Sequence, residues 1–195
     1  MLLIDRNVLE IANSLCRLQA ETGREHLRAI ATDGAIYSAS GEIDRVYPPS
    51  DLLARFAEVD AEIVYHHSHP DDRALSPSDL SLIAQPGVKA IWAHAPSGAS
   101  YGAQLQEGLA KDSYRAALDQ LNGHLLLEIV QRGGVLLGET SFEAFRDFAT
   151  MLALEKQGWI HCHLAWSDQT RREIFDEASG FYTLVNFLNS VTLPV

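Results

Sequence analysis

His67 and His69, two positions apart, and Asp79 place three zinc-type ligands within thirteen residues of this 195-residue chain. Pro70 follows the pair, and Ser76-Pro77-Ser78 leads into the acid. The run Ala61-Glu62-Ile63-Val64-Tyr65-His66 reads as a short strand. Two imidazoles spaced by two residues then leave its end on the same side and can share one ion. Two His and one carboxylate fill three positions of a tetrahedral zinc and leave the fourth for water, the open arrangement of a catalytic site. Ser76 has a second role open to it as a helix N-cap, with Pro77 at the first helical position and an acid three residues after the cap. A capped helix start fixes both side chains, so the structural and the chemical roles are compatible.

His-x-His-Pro followed by Ser-x-x-Asp resembles the signature of the JAB/MPN/JAMM zinc metallopeptidases of the bacterial type, at His67, His69, Pro70, Ser76 and Asp79. The similarity runs over roughly residues 20 to 106. It takes in Arg24-Glu25-His26 at the start of a strand, the turn Thr32-Asp33-Gly34, the run Pro48 to Leu53, Gly87 to Trp92, and the turn Pro96-Ser97-Gly98. The resemblance implies an α/β fold, a mixed β-sheet flanked by helices with a JAMM/cytidine-deaminase-like core. It implies zinc as cofactor on His67, His69 and Asp79. It implies Glu25 as the general base that takes a proton from water and delivers it to the leaving amine, and Ser76 as a donor to the oxyanion. The substrate it implies is a peptide or an isopeptide-linked ubiquitin-like conjugate. Spacing alone leaves Glu21 and Glu42 open for the base. Two other functions fit the same resemblance: a non-catalytic interaction scaffold, as in members lacking the full ligand set, and a toxin or effector using the same chemistry.

Other motifs carry less. His161-Cys162-His163 repeats the His-x-His spacing on a plausible strand, but Asp168 is the only carboxylate near it in sequence, so two exposed imidazoles are expected there rather than a metal. Cys162 has its neighbours facing the opposite side of that strand, so neither can serve as its base, and a small apolar thiol is expected. Gly133 to Thr140 has the spacing of a phosphate-binding loop with Glu139 where a lysine must stand. A carboxylate repels phosphate, and the segment reads as a glycine turn before a helix capped at Thr140, with Glu143 three residues on.

Several elements must position the ligands. Val8, Ile11, Ala12, Leu15 and Leu18 recur at helical spacing, which predicts an opening amphipathic helix carrying Cys16 near its apolar face. Strands near 25–31 and 35–40, a short helix after Ser50, the histidine strand at 61–66, a capped helix from 77, and strands near 88–94 and 99–104 follow. Residues 1–106 form the expected metallopeptidase core. Residues 107–195 form a helix-rich C-terminal region without a motif: a helix over 111–131 interrupted near Gly123, a helix from Ser141 to about Gln157, a strand at 159–166 and a helix capped by Ser167. The apolar run Phe181 to Leu188 suggests that this end docks on a core or on a protein partner.

Composition bounds the rest. With 47% hydrophobic residues the chain can bury a full core. Its formal charge of -11 without a Lys/Arg cluster argues against nucleic acid, whose binding depends on neutralising phosphate. A basic protein surface suits it better. Two distant cysteines, Cys16 and Cys162, suit a reducing compartment. The opening Met1-Leu2-Leu3-Ile4 is interrupted by Asp5 and Arg6, and no run is long enough to span a bilayer. Neither a secretion signal nor a membrane is expected, and the expected location is the cytoplasm.

Overall fold

The structure, a computed structural model, describes residues 6–132, 139–168 and 189. It is α/β, with one mixed six-stranded sheet flanked by helices. Helix α1 (Arg6–Thr22) buries Val8, Ile11 and Leu15, the apolar stripe expected of it. It stops where Gly23 takes φ +67° and donates its amide to the Gln19 carbonyl at 2.7 Å, a left-handed turn that favours glycine.

Strands β1 (His26–Ile30) and β2 (Ile36–Ser40) form an antiparallel hairpin, followed by helix α2 (Ser50–Phe56). Strand β3 (Ile63–Ser68) then enters beside β1, preceded by a single 3-10 turn at Val59–Ala61. The histidine strand therefore starts and ends two residues later than the apolar run predicts, because Ala61 closes that turn instead. Helix α3 (Pro77–Leu82) crosses over to β4 (Val88–His94), which lies parallel to β3. Strand β5 (Ser100–Leu105) returns antiparallel, and the sheet order is β2-β1-β3-β4-β5-β6, with β6 (Ile160–Ala165) on the far edge.

Between β5 and β6 lie α4 (Lys111–Arg132) and α5 (Glu139–Lys156). Two expectations are corrected here. Helix α4 runs straight through Gly123, because a glycine in a helix interior costs only about 1 kcal/mol and the buried Tyr114, Ala117, Leu118 and Leu121 anchor the turns before it. Helix α5 begins at Glu139, so Thr140 lies inside its first turn instead of capping it. The turn expected at Gly133-Gly134, most of the helix expected after Ser167 and the run Phe181 to Leu188 lie outside the described residues.

Alternation along the strands separates two faces. Leu27, Ala29, Tyr65, Ile91, Ala93, Tyr101 and Ala103 point into one core with Leu52 and Phe56 of α2, Leu80 of α3, Tyr114 and Leu118 of α4, and Phe148 and Leu154 of α5. On the other face, against α1, His66 stacks on Trp92 and His94 with interplanar angles of 11° and 14°. Gly102 sits opposite Trp92 on β5, and a Cβ there would meet the indole at 2.7 Å, so the ring lies flat only because residue 102 has no side chain. His163 on β6 packs at 5.3 Å from the same indole. The expected exposure of His161 and His163 is thus also corrected: both are half-buried. Among the described residues no helix is long and apolar enough to cross a membrane.

Candidate metal centre

β3 runs parallel to β4, and the chain leaves it at the carboxyl end beside the α3 crossover, where open α/β sheets place their ligands. His67 is the last inward-facing residue of β3. His69 lies just past the strand, held by its amide on the His94 carbonyl at 2.9 Å. The Nε2 atoms of the two rings come to 2.8 Å. Asp79 faces them from the first turn of α3, with Oδ1 at 3.4 Å from His67 Nε2 and Oδ2 at 3.6 Å from His69 Nε2. Among the described residues this is the one group of three metal-ligating side chains whose donor atoms gather within 4.8 Å.

The donor set suits a small cation. Two neutral imidazoles that both present Nε2 lone pairs repel each other unless something positive lies between them. A tetrahedral ion bonded at about 2.0–2.2 Å separates its ligands by about 3.3–3.5 Å, close to both carboxylate distances, while the imidazoles need to part by about half an ångström. His69 is oriented to bind a cation, since its Nδ1 donates to the Arg73 carbonyl at 2.9 Å and turns Nε2 toward His67 and Asp79. His67 Nδ1 is enclosed, and the Trp92 backbone beside it falls short of hydrogen-bond geometry.

Charge follows the same pattern. Burial alone would raise Asp79, but the two imidazoles hold it well below the usual carboxylate range. Burial lowers His67 against the pull of Asp79. It also opposes protonation of His69, yet the hydrogen bond and charge of Asp79, with the Arg73 carbonyl and Glu25 behind them, carry His69 up to about 9. The same groups that favour a proton on His69 would favour a cation between the rings, and a cation bound there would displace that proton.

Ser76 and Asp79 close the capping box read from their spacing. Asp79 N donates to Ser76 Oγ at 3.1 Å, and Ser76 N donates to Asp79 Oδ2 at 2.8 Å. The Ser76 hydroxyl also donates to that oxygen, at 2.7 Å. Its single proton is aimed at Asp79, so it fixes that carboxylate.

Glu25 opens onto the cleft from the residue just before β1, 6% exposed. Burial, with smaller contributions from Asp79 and Asp44 and against His69 and Arg73, pushes its carboxyl up to about 7. Glu42, the alternative in sequence, is its backbone partner, accepting the Glu25 amide at 2.8 Å, but is exposed and does not line the cleft. Glu21 stays on α1, within 4.0 Å of Arg17. Position therefore favours Glu25.

The cleft measures about 610 Å³, the size of an ordinary ligand site. Sequence reasoning missed one wall of it. Glu143, Arg146 and Asp147 of α5 line it. Glu143 pairs with Arg73 at 2.5 Å, and Asp147, buried, accepts two bonds from Arg146 at 2.7 and 2.9 Å. Burial, relieved in part by Arg146, pushes Asp147 up to about 6. Nothing local in the sequence marks this wall, because it comes from the second half of the chain. Tyr65 was missed as well, hidden inside an apolar strand pattern; burial, with Asp79 and Glu25 adding to it, raises its phenol.

Elsewhere, Cys162 is half-buried with Sγ 3.7 Å from the Met151 carbonyl, and burial pushes its thiol up, as suits an unreactive side chain. Comparison with protein-family models, with curated proteins and with solved structures gives no match.

Proposed function

We propose that the chain is a zinc-dependent hydrolase of the JAMM type, cleaving a peptide or isopeptide bond, with a ubiquitin-like conjugate as one substrate class. One observation carries this reading: His67, His69 and Asp79 gather three metal-type donors at the foot of a cleft onto which Glu25, a carboxyl raised to about 7, also opens. A zinc ion held by the three would supply a Lewis acid for the scissile carbonyl and lower the pKa of water.

The chain's own residues do the rest. Glu25 takes a proton from the water that adds to the carbonyl carbon, and delivers it to the nitrogen as the C–N bond breaks, leaving a carboxylate and an amine. A carboxyl with a proton affinity near neutrality both accepts and returns that proton readily. Asp79 is held by Ser76, and His69 by the Arg73 carbonyl, so the donors meet the cation already oriented.

Elemental analysis of the purified chain tests the first step, with about one zinc expected. The double substitution His67→Ala with His69→Ala should lose it, and His161→Ala with His163→Ala should keep it. A panel of peptides and isopeptide conjugates should then be cleaved only without a chelator. Glu25→Gln should retain zinc and lose activity by a factor on the order of a hundred or more. Zinc that follows His161 and His163, or cleavage indifferent to chelation, would overturn the reading.

A further inference from the structure

Water adding to a carbonyl makes a tetrahedral oxyanion, and a hydrogen-bond donor aimed at that oxygen adds to the stabilisation a Lewis acid would supply. The Ser76 hydroxyl has one proton, already donated to Asp79 Oδ2 at 2.7 Å. The cleft's guanidiniums are engaged too: Arg73 with Asp71 and Glu143, Arg146 with Asp147, Arg45 with Tyr47.

Tyr65 stands two residues before His67 on β3 and so projects from the same face. Its ring lies 5.6 Å from the His67 ring and 6.2 Å from Phe56, and the residue is only 2% exposed. Yet its hydroxyl has no hydrogen-bond partner among the described residues. The fully enclosed polar atoms without one are Gln19 Oε1, Arg55 Nε, His67 Nδ1 and Asn122 Oδ1. The Tyr65 hydroxyl is not among them, so it meets the cleft that the residue lines. Two other buried tyrosines show the contrast. Tyr101 donates to the Asp72 carbonyl at 2.8 Å, and Tyr114 to the Leu80 carbonyl at 3.0 Å. A phenylalanine would pack as well at position 65, because the hydroxyl, open to the cleft, makes no bond within the fold. The oxygen therefore has work outside the fold.

Resting on the metal-hydrolase reading, we infer that the Tyr65 hydroxyl is a catalytic residue, the donor that binds the carbonyl oxygen of the scissile amide and the tetrahedral oxyanion it becomes, while Ser76 serves Asp79. A phenol, with an ordinary pKa of about 10, carries its proton at neutral pH and can donate it.

Tyr65→Phe removes only that oxygen. Zinc content and thermal unfolding of wild type and variant are measured first, and both zinc-loaded proteins are then titrated calorimetrically with methylphosphonate, a tetrahedral oxyanion. The expected result is unchanged zinc, unchanged or slightly higher thermal stability, and methylphosphonate affinity lower by about ten- to a hundredfold, the loss of one bond to a charged acceptor. With any conjugate found in the chelator-sensitive assay, kcat should fall while KM changes little. Equal methylphosphonate affinity in the two proteins overturns the assignment, and so does a zinc-loaded wild type that does not bind the anion. Anion binding lost in Ser76→Ala but kept in Tyr65→Phe returns the role to Ser76. A wild type that holds no zinc refutes the metal-hydrolase reading itself, and that is known before any anion is added.

Discussion

Glu25 should make the metal-free protein less stable as the pH rises, and replacing it should reverse that. Its carboxyl is held up at about 7, against an ordinary value of 4.5, chiefly by burial. Below about 4.5 the group is protonated in both the folded and the unfolded chain and contributes no pH dependence. Between 4.5 and 7 the unfolded chain gives up the proton first, so stability falls with rising pH, and above 7 the loss levels off. At 1.36 kcal/mol per tenfold change in proton affinity the full loss is about 3 kcal/mol, and about 2 once screening by water in the open cleft is allowed for. Glu25→Gln removes the titration. After chelator treatment, urea unfolding of the two proteins at a series of pH values should show the variant gaining on the wild type by about 2 kcal/mol between pH 4.5 and pH 8, at the same time as it loses hydrolysis. Adding zinc should shrink the gain, because a nearby cation favours the carboxylate. A stability difference that stays flat with pH would refute the claim that burial of Glu25 outweighs the charges of His69 and Arg73, and with it the base proposed for the cleft.

Ser76→Ala should cost roughly 1 kcal/mol in urea unfolding through the lost cap, and should weaken zinc retention in a chelator competition, because Asp79 loses the hydroxyl that holds it. Arg73→Ala frees the loop whose carbonyl orients His69 and whose side chain reaches Glu143; the same competition should show zinc affinity lower by about tenfold, with little change in thermal unfolding. Gly102→Ala drives a methyl into the Trp92 indole and should destabilise the fold by about 1–3 kcal/mol, with an altered tryptophan fluorescence, while zinc content is kept.

The parts of the site that lie close in sequence are legible there. His67, His69, Ser76 and Asp79 sit on one strand end and one capped helix, and short-range geometry brings them together with only the loop between to close. Glu25 and Glu42 are harder to tell apart. They meet just beyond the β1–β2 pairing, the Glu25 amide on the Glu42 carbonyl, and what separates them is that the Glu25 side chain is buried and the Glu42 side chain exposed. The α5 wall has no local signature, since Glu143 meets Arg73 across seventy residues. Tyr65 is invisible for another reason: in a strand of Ile, Val and Tyr a phenol looks like core, and only the missing partner of its oxygen sets it apart. The element order is read correctly through most of the chain; at Gly123 the packing of α4 overrides the glycine, and α5 starts two residues before the expected Ser141.

The edge position of β6 bears on how the chain can be divided. All six residues of β5 have partners on β6, from Ser100 with Ala165 to Leu105 with Ile160. A chain cut after residue 106 would therefore end on a bare strand, a template for pairing with its own copies. It would also strip Tyr114, Leu118 and Phe148 from the core and Glu143 from Arg73. The change in character near residue 107 is a seam in the sequence that the sheet has sewn shut, and the fragment bearing every residue of the His-x-His motif should prove the insoluble one.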